Sequence, residues 1–310
     1  MLSADHLAQL FTPAEIIAIV KQGILKEGAG KYRVPQRMHI EHEQMTYLLM
    51  PAIGERYFCS KLVSVTPANK ARDLPIIQGT LILNDLATGA VLEYMDAPMI
   101  TALRTAAVGA IGLERIAETS TSQLGLIGCG LQGYWQSLFA HAVRPIRRIY
   151  AYSKTRSSFE NYKARMQQSH PKTSIIWCEN ADEVVRNAEL IYTCTNARSP
   201  LFSNDAALVA NKSFISIGSF RKDMQELPDV VYQQADRVLV DTITAQSEVG
   251  DLINPLRAGY ITVEQLVTLA DALTMPLTEW QGKQLVFKSV GMAAFDLALA
   301  VAVYEESQLK

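Results

Sequence analysis

The chain has 310 residues and a formal net charge of −2, with 49% hydrophobic and 19% charged residues. That length suits one large or two ordinary folded domains, and a near-neutral balance without a basic block speaks against a nucleic-acid partner. No apolar run reaches the ~20 residues of a membrane span, and Met1-Leu-Ser-Ala-Asp-His6 lacks the features of a signal peptide.

Thr12-Pro13 opens a helix, with Thr12 as N-cap and Pro13 in the first turn. Ile16, Ile17, Val20, Ile24 and Leu25 form its apolar stripe, and Gly28 and Gly30 end it. Strand-like runs follow at Arg37 to Glu41, Met45 to Met50 and Phe58 to Val65. Gly79 to Leu83 and Ala90 to Met95 then flank Asn84-Asp-Leu-Ala-Thr-Gly89 as a hairpin. Strands in succession without helices between them predict an antiparallel or mixed sheet outside any doubly wound unit. Asp96-Ala97-Pro98 starts a long helix from Met99 to Ala117.

From Ser122 the rhythm changes to strand and helix in alternation, with strands expected at 123–127, 148–152, 174–178, 190–194, 213–217 and 237–240. That alternation predicts a parallel, doubly wound α/β sheet covered on both faces. The run Lys288 to Tyr304 reads as an apolar helix that returns to pack on the first domain. Four cysteines, at 59, 129, 178 and 194, form no C-x-x-C pair, so no metal site or disulfide framework is expected, and the chain reads as cytoplasmic.

The apolar run Leu124 to Ile127 feeds Gly128-Cys-Gly130-Leu-Gln-Gly133 and then a helix, the strand, G-x-G-x-x-G, helix order of dinucleotide binding. Gly128 and Gly130 allow the tight turn and the approach of the pyrophosphate, Leu131 and Gln132 complete the turn, and the helical pattern runs from about Tyr134 to Ala142 with its N-terminus toward the phosphates. After the second strand comes Ser153-Lys154-Thr155-Arg156, where an NAD site would carry an acid. Hydroxyls and cations there suit a 2′-phosphate, so NADPH is expected over NADH; the other reading is a plain solvated basic turn.

Several stretches together resemble the ornithine cyclodeaminase/mu-crystallin family: Pro35-Gln-Arg37, Leu49-Met-Pro51, Lys61 to Val65 with Pro67-x-Asn69, Asp85-x-x-Thr-Gly89 and Thr101 to Ala107. Later ones are Gly128-x-Gly-x-Gln132, Ile217-Gly-Ser219, Glu226-Leu227, Val240-Asp241, and Phe287 to Gly291 with Asp296. The resemblance spans nearly the whole chain. It implies a homodimer and a Rossmann doubly wound domain, 118–287, inserted in a split α+β substrate-binding and dimerisation domain, 1–117 plus 288–310. It also implies NAD(P)H-linked hydride exchange at a carbon bearing an amine or imine beside a carboxylate.

That family pattern places the carboxylate clamp on Arg37, Lys61 and Arg104, with Arg104 and Thr105 also near the cofactor phosphates. Read without it, Arg37 and Lys61 are ordinary surface charges. Arg104, mid-helix among Ala102, Leu103, Ala106 and Ala107, must snorkel or find an anion, and a structural carboxylate is one candidate. Asp296, an acid in an apolar helix, is either a partner for such a cation or a group orienting the substrate nitrogen or a water; Lys61 and Asp296 are the catalytic candidates. Thr195-Asn196 and Gly218-Ser219, at strand ends, are expected to hold the nicotinamide.

In the family's cyclodeaminases an acid follows the glycine pair after the fifth strand, the place of Gly218-Ser219 here, and another precedes the Leu-Met-Pro motif. Phe220 and Leu48 stand there instead. A pocket without those carboxylates would strand one ammonium of ornithine. The expected activity is therefore reduction of Δ1-pyrroline-2-carboxylate to L-proline, unless Phe220 is simply core. Alternatives are an ornithine cyclodeaminase with displaced acids, an alanine-type dehydrogenase, or a non-enzymatic NADPH-dependent binding protein.

Overall fold

The computed structural model describes residues 2–43 and 45–309. Met1 and Lys310, the outer ends of the expected split domain, lie outside the described residues. The chain divides into two compact units, Met1–Thr105 with Gly291–Lys310, and Ala106–Val290.

The first unit begins with helices α1 (Ala4–Leu10) and α2 (Pro13–Gly28). Strands β1 (Met38–His42), β2 (Met45–Ile53), β3 (Tyr57–Val65), β4 (Ile77–Asp85) and β5 (Val91–Asp96) follow, then helix α3 (Ala97–Ile116), whose residues from Ala106 onward belong to the second unit. The second unit continues with β6 (Gln123–Ile127), α4 (Leu131–Val143), β7 (Arg148–Tyr152), α5 (Arg156–Ser169), β8 (Ser174–Trp177), α6 (Ala181–Asn187) and β9 (Leu190–Thr193). It ends with α7 (Ala206–Val209), β10 (Ser213–Ser216), α8 (Asp229–Gln233), β11 (Arg237–Val240), α9 (Gly250–Ala258), β12 (Leu266–Thr268), α10 (Leu269–Thr274) and β13 (Leu285–Lys288). The last helix, α11 (Ala293–Ser307), returns to the first unit.

In the first unit the five strands pair antiparallel in the order β1-β2-β3-β4-β5. Alternation turns Thr46, Leu48, Met50 and Ala52 of β2 inward, and Cys59, Lys61 and Val63 of β3 with them. Register places Met50, Lys61, Leu81 and Met95 in one row across that inner face. Helix α11 packs on β2 to β5 and against α2. Its alanines permit the close approach: a side chain at Gly23 of α2 would collide with Ala298. A capping box between Thr12 and Glu15 starts α2, where the sequence predicts it.

The eight strands of the second unit are all parallel, in the order β12-β11-β13-β10-β9-β6-β7-β8. From β8 to β10 this is the 3-2-1-4-5 order of a doubly wound dinucleotide fold, and the order reverses between β6 and β9. Ligands of such sheets bind outside the carboxyl ends of the strands at that switch point, where the glycine turn and Thr195 lie.

Three elements differ from expectation. The segment from Lys288 is not yet helix: Leu285–Lys288 is a strand inserted between β10 and β11, and the helix begins at Ala293. A short buried apolar run does not distinguish strand from helix by periodicity. The break falls at Gly291, whose φ of +74° few other residues adopt. Helix α1 and strand β12 are further elements that the sequence pattern leaves unmarked. The two compact units meet in sequence at Thr105/Ala106 and Val290/Gly291, whereas the sequence reading divides the domains at 117/118 and 287/288. The first of these points lies inside α3, where no composition change marks it.

Candidate active site

In the first unit, three charges from three different elements converge. Lys61 of β3, Arg104 of α3 and Asp296 of α11 are 2%, 5% and 0% exposed, so they meet away from solvent. Lys61 Nζ donates to Asp296 Oδ2 at 2.7 Å and to Thr101 Oγ1 at 3.2 Å. Arg104 donates through Nε to Asp296 Oδ1 at 3.0 Å. Among the described residues, Nη1 and Nη2 of Arg104 make no hydrogen bond, and Lys61, with three donors, uses two.

One carboxylate thus serves two buried cations, leaving an excess positive charge. Burial would raise the Asp296 carboxyl, but Lys61 and Arg104 outweigh it and hold it below its ordinary value. Burial pushes the Lys61 ammonium down; Asp296 opposes this, Arg104 and Arg37 reinforce it, and the result is about 8. An uncompensated buried charge is costly, and the inexpensive remedy is an anion. Arg37, half-buried before β1, donates through Nη2 to the carbonyl of Gly291. At Gly291 a Cβ would overlap Arg104 Nη1, so the guanidinium lies directly on that glycine. Leu48 is buried on the same sheet face as Lys61, two pairs along from the Met50–Lys61 pair. Thr105, also buried, ends the α3 portion of this unit.

The second unit holds the remaining candidates. Gly128 adopts φ +108°, and a Cβ there would stand 2.6 Å from the Cys194 carbonyl oxygen. Gly130 is the N-cap of α4 and brings no side chain to the unpaired N–H groups of the first turn, which are therefore available to an anion. Leu131 is exposed at that helix start, and Gln132 has a buried Oε1 without a hydrogen-bond partner among the described residues. A cavity of about 200 Å³ opens beside Cys129, Gly130, Leu131 and Tyr134. These observations fit a dinucleotide phosphate.

Ser153 and Lys154 follow β7, Lys154 being exposed. Arg156, at the start of α5, pairs with Glu160 at 2.7 Å and lies over the Trp177 ring at 4.8 Å, so it is an oriented cation and not a loose one. Thr195 and Asn196 follow β9; Gly218, Ser219 and the half-buried Phe220 follow β10.

Sequence reasoning assigned no role to the group joining those two loops. Glu226, fully buried, accepts from Thr195 N at 2.7 Å, Thr195 Oγ1 at 2.8 Å, Gly218 N at 2.8 Å, Ser216 Oγ at 3.0 Å and Ser219 N at 3.3 Å. Asp251 of α9 in turn accepts from the Glu226 and Leu227 backbone N–H groups and from Ser219 Oγ, with Lys288 Nζ at 4.0 Å. The available signal was an acid and a lysine, Glu226 and Lys288, set beside apolar residues in Glu226-Leu227 and Leu285-Val-Phe-Lys288.

Comparison with known proteins agrees in kind with this geometry. The profile of the ornithine cyclodeaminase/mu-crystallin family matches residues 1–310. A Δ1-pyrroline-2-carboxylate reductase of Bacillus cereus is 30% identical, over 99% of this chain and 96% of that protein. The structure of Thermococcus litoralis Δ1-pyrroline-2-carboxylate reductase with NADH and L-proline superimposes with a TM-score of 0.91 at 27% identity, covering 99% of this chain and 97% of the other. An archaeal alanine dehydrogenase dimer with bound NAD is similar at a TM-score of 0.89 and 26% identity, covering 99% and 95%.

Proposed function

The chain belongs to the ornithine cyclodeaminase/mu-crystallin family, and from that premise we propose that it reduces Δ1-pyrroline-2-carboxylate to L-proline with a nicotinamide dinucleotide as donor. The observation that carries this reading is the buried positive excess on Lys61 and Arg104, with the Nη groups of Arg104 unbonded among the described residues. That arrangement suits one small carboxylate, and Arg37 adds a third cation to it.

The dinucleotide, when bound, supplies the hydride that adds to the imine carbon. Arg104 and Arg37 hold the substrate carboxylate, and Asp296 fixes Arg104 and Lys61 in place. With its proton held near neutrality, the Lys61 ammonium is the group suited to give the proton that the substrate nitrogen takes up. Leu48 of the first unit and Phe220 of the second stand where the family's cyclodeaminases carry acids, so neither supplies a carboxylate that a second substrate ammonium would require. NADPH is preferred, with NADH also accepted, because Ser153, Lys154 and Arg156 bring hydroxyls and cations where an NAD site has an acid.

The same reading includes a cytoplasmic homodimer. Met38, Ile40, Leu49, Leu62 and Tyr94 are exposed on the outer face of the five-stranded sheet, an apolar surface of the kind that associates. All four cysteines are unpaired, as suits a reducing compartment.

The test follows NADPH absorbance on addition of Δ1-pyrroline-2-carboxylate, with ornithine and with pyruvate plus ammonia run in parallel. Oxidation with the imine and formation of proline is the expected result. Proline and ammonia formed from ornithine without imine reduction would overturn it, as would tight NADPH binding with no turnover.

A further inference from the structure

The dinucleotide-binding unit contains a buried carboxylate that no step of the reduction uses. Glu226 lies in the loop before α8 and reaches back to two neighbouring strand ends. One oxygen, Oε1, takes the N–H and the hydroxyl of Thr195, the second residue after β9. The other, Oε2, takes the N–H groups of Gly218 and Ser219 after β10 and the hydroxyl of Ser216. Three of the five donors are backbone groups, and they belong to two separate loops. Glu226 is itself held: its own N–H and that of Leu227 donate to Asp251, which Ser219 also engages. Lys288, from the strand between β10 and β11, donates to Ser216 and faces Asp251, so the two acids share one buried cation.

Burial on this scale is expensive for a carboxylate and is tolerated when donors saturate it. Here the donors come from β9 and β10, the strands on the far side of the switch point from β6, β7 and β8. In a doubly wound sheet each side of that point serves one mononucleotide half of the cofactor. The glycine turn follows β6, on the adenosine side, which leaves the loops after β9 and β10 to the nicotinamide side.

Resting on the dinucleotide reading above, we infer that Glu226 is a positioning residue for the nicotinamide half of the cofactor: it joins the Thr195–Asn196 and Gly218–Ser219 loops into one rigid lip. Asp251 and Lys288 hold Glu226 in turn, and none of the three touches substrate.

The inference is tested by binding of two ligands to the full-length protein and to Glu226→Gln. NADPH carries the nicotinamide; 2′-phospho-ADP-ribose lacks it. The amide keeps the shape of Glu226 but places an NH2 against N–H donors, so NADPH binding weakens more than about tenfold while 2′-phospho-ADP-ribose binding changes less than about twofold. At saturating NADPH the KM for Δ1-pyrroline-2-carboxylate is unchanged and kcat falls. Equal weakening of both ligands, as general loosening would give, overturns the inference, as does unchanged NADPH binding. If Glu226→Gln does not fold, Ser216→Ala removes one of the five donors at nearly constant volume, and the same selective loss is expected on a smaller scale; its absence there likewise overturns the inference. Wild-type protein that binds neither ligand would instead remove the dinucleotide reading, and this inference with it.

Discussion

Asp296 takes the Nε–H of Arg104 at 3.0 Å and thereby leaves the two Nη groups of the guanidinium outside the pair. Those groups form the fork that matches a carboxylate in bidentate fashion. Arg104→Ala should lower kcat/KM for the imine more than about tenfold, since a hydrogen bond to a charged group contributes about 1.5–3 kcal/mol. The fold should persist, because Asp296 keeps Lys61. Arg104→Lys should recover little, having the charge without the fork. Steady-state kinetics with circular dichroism on both variants makes the comparison; near-normal catalysis by Arg104→Ala would exclude the clamp.

The converse substitution behaves differently. Asp296→Ala leaves Lys61 and Arg104 as two buried cations with no counter-charge. Removing one partner of a buried pair costs about 3–5 kcal/mol, which corresponds to a Tm lower by roughly 10 °C in a chain of this size. The loss should be relieved in part by a bound anion such as acetate, which occupies the vacated carboxylate position. A thermal melt with and without acetate reads this, and an unchanged Tm would mean that Asp296 does not compensate these cations.

The sequence marked much of this arrangement and missed its linkage. The glycine turn, the 123–127 and 148–152 strands and the helix from Pro13 are local patterns, and they lie where the pattern puts them. Arg104 and Asp296 are conspicuous because a charge in an apolar helix must be explained. Their pairing was one of several open choices, since 192 residues separate them and periodicity carries no information about which carboxylate a cation meets. Lys61 was less visible still: alternation on β3 turns it inward, but a lysine amid strand residues reads as an ordinary surface charge until the register is known. In the sequence Glu226 shows only as an acid beside Leu227, because its role depends on two loops that come together only in the folded sheet.

Lys61 should govern the alkaline limb of the rate profile. Burial pushes its ammonium down to about 8, against the opposing pull of Asp296. If the protonated form delivers the proton, kcat/KM is high below that pH and falls as pH rises through it. Lys61→Arg should abolish this limb, because a guanidinium does not titrate there. The same shift has a stability consequence: between about 8 and the ordinary 10.5 the unfolded chain holds a proton that the folded chain has released, so this group favours the fold increasingly as pH rises. A profile of the wild type flat through pH 8 would remove Lys61 as the proton donor.

Cofactor preference should reside in the turn after β7. Lys154 is exposed and so is open to a 2′-phosphate, whereas Arg156 is already engaged by Glu160 and stacked over Trp177. Lys154→Ala should raise the KM for NADPH about three- to tenfold and leave that for NADH unchanged, the loss of one charge-assisted contact at a solvated site. Raising the salt concentration should mimic the substitution for NADPH alone. An equal effect on both cofactors would place Lys154 elsewhere on the dinucleotide.

Leu48 tests why this pocket suits a ring with a single carboxylate. It is buried on the inner face of β2, paired with Val63, and Lys61 lies diagonally across on the same face. Diagonal neighbours of this kind stand about 7–8 Å apart, within reach of a long side chain such as lysine. In Leu48→Asp the new carboxylate therefore draws on Lys61 and cancels the positive excess that a substrate carboxylate would otherwise neutralise. The KM for Δ1-pyrroline-2-carboxylate should rise more than about tenfold, and the alkaline limb assigned to Lys61 should move to higher pH, because a second anion favours its charged form. Leu48→Asn has nearly the same volume without the charge and separates the two causes: it should cost less in KM and leave the limb in place. Equal losses in the two variants would assign the effect to packing and would detach Leu48 from the electrostatics of the site.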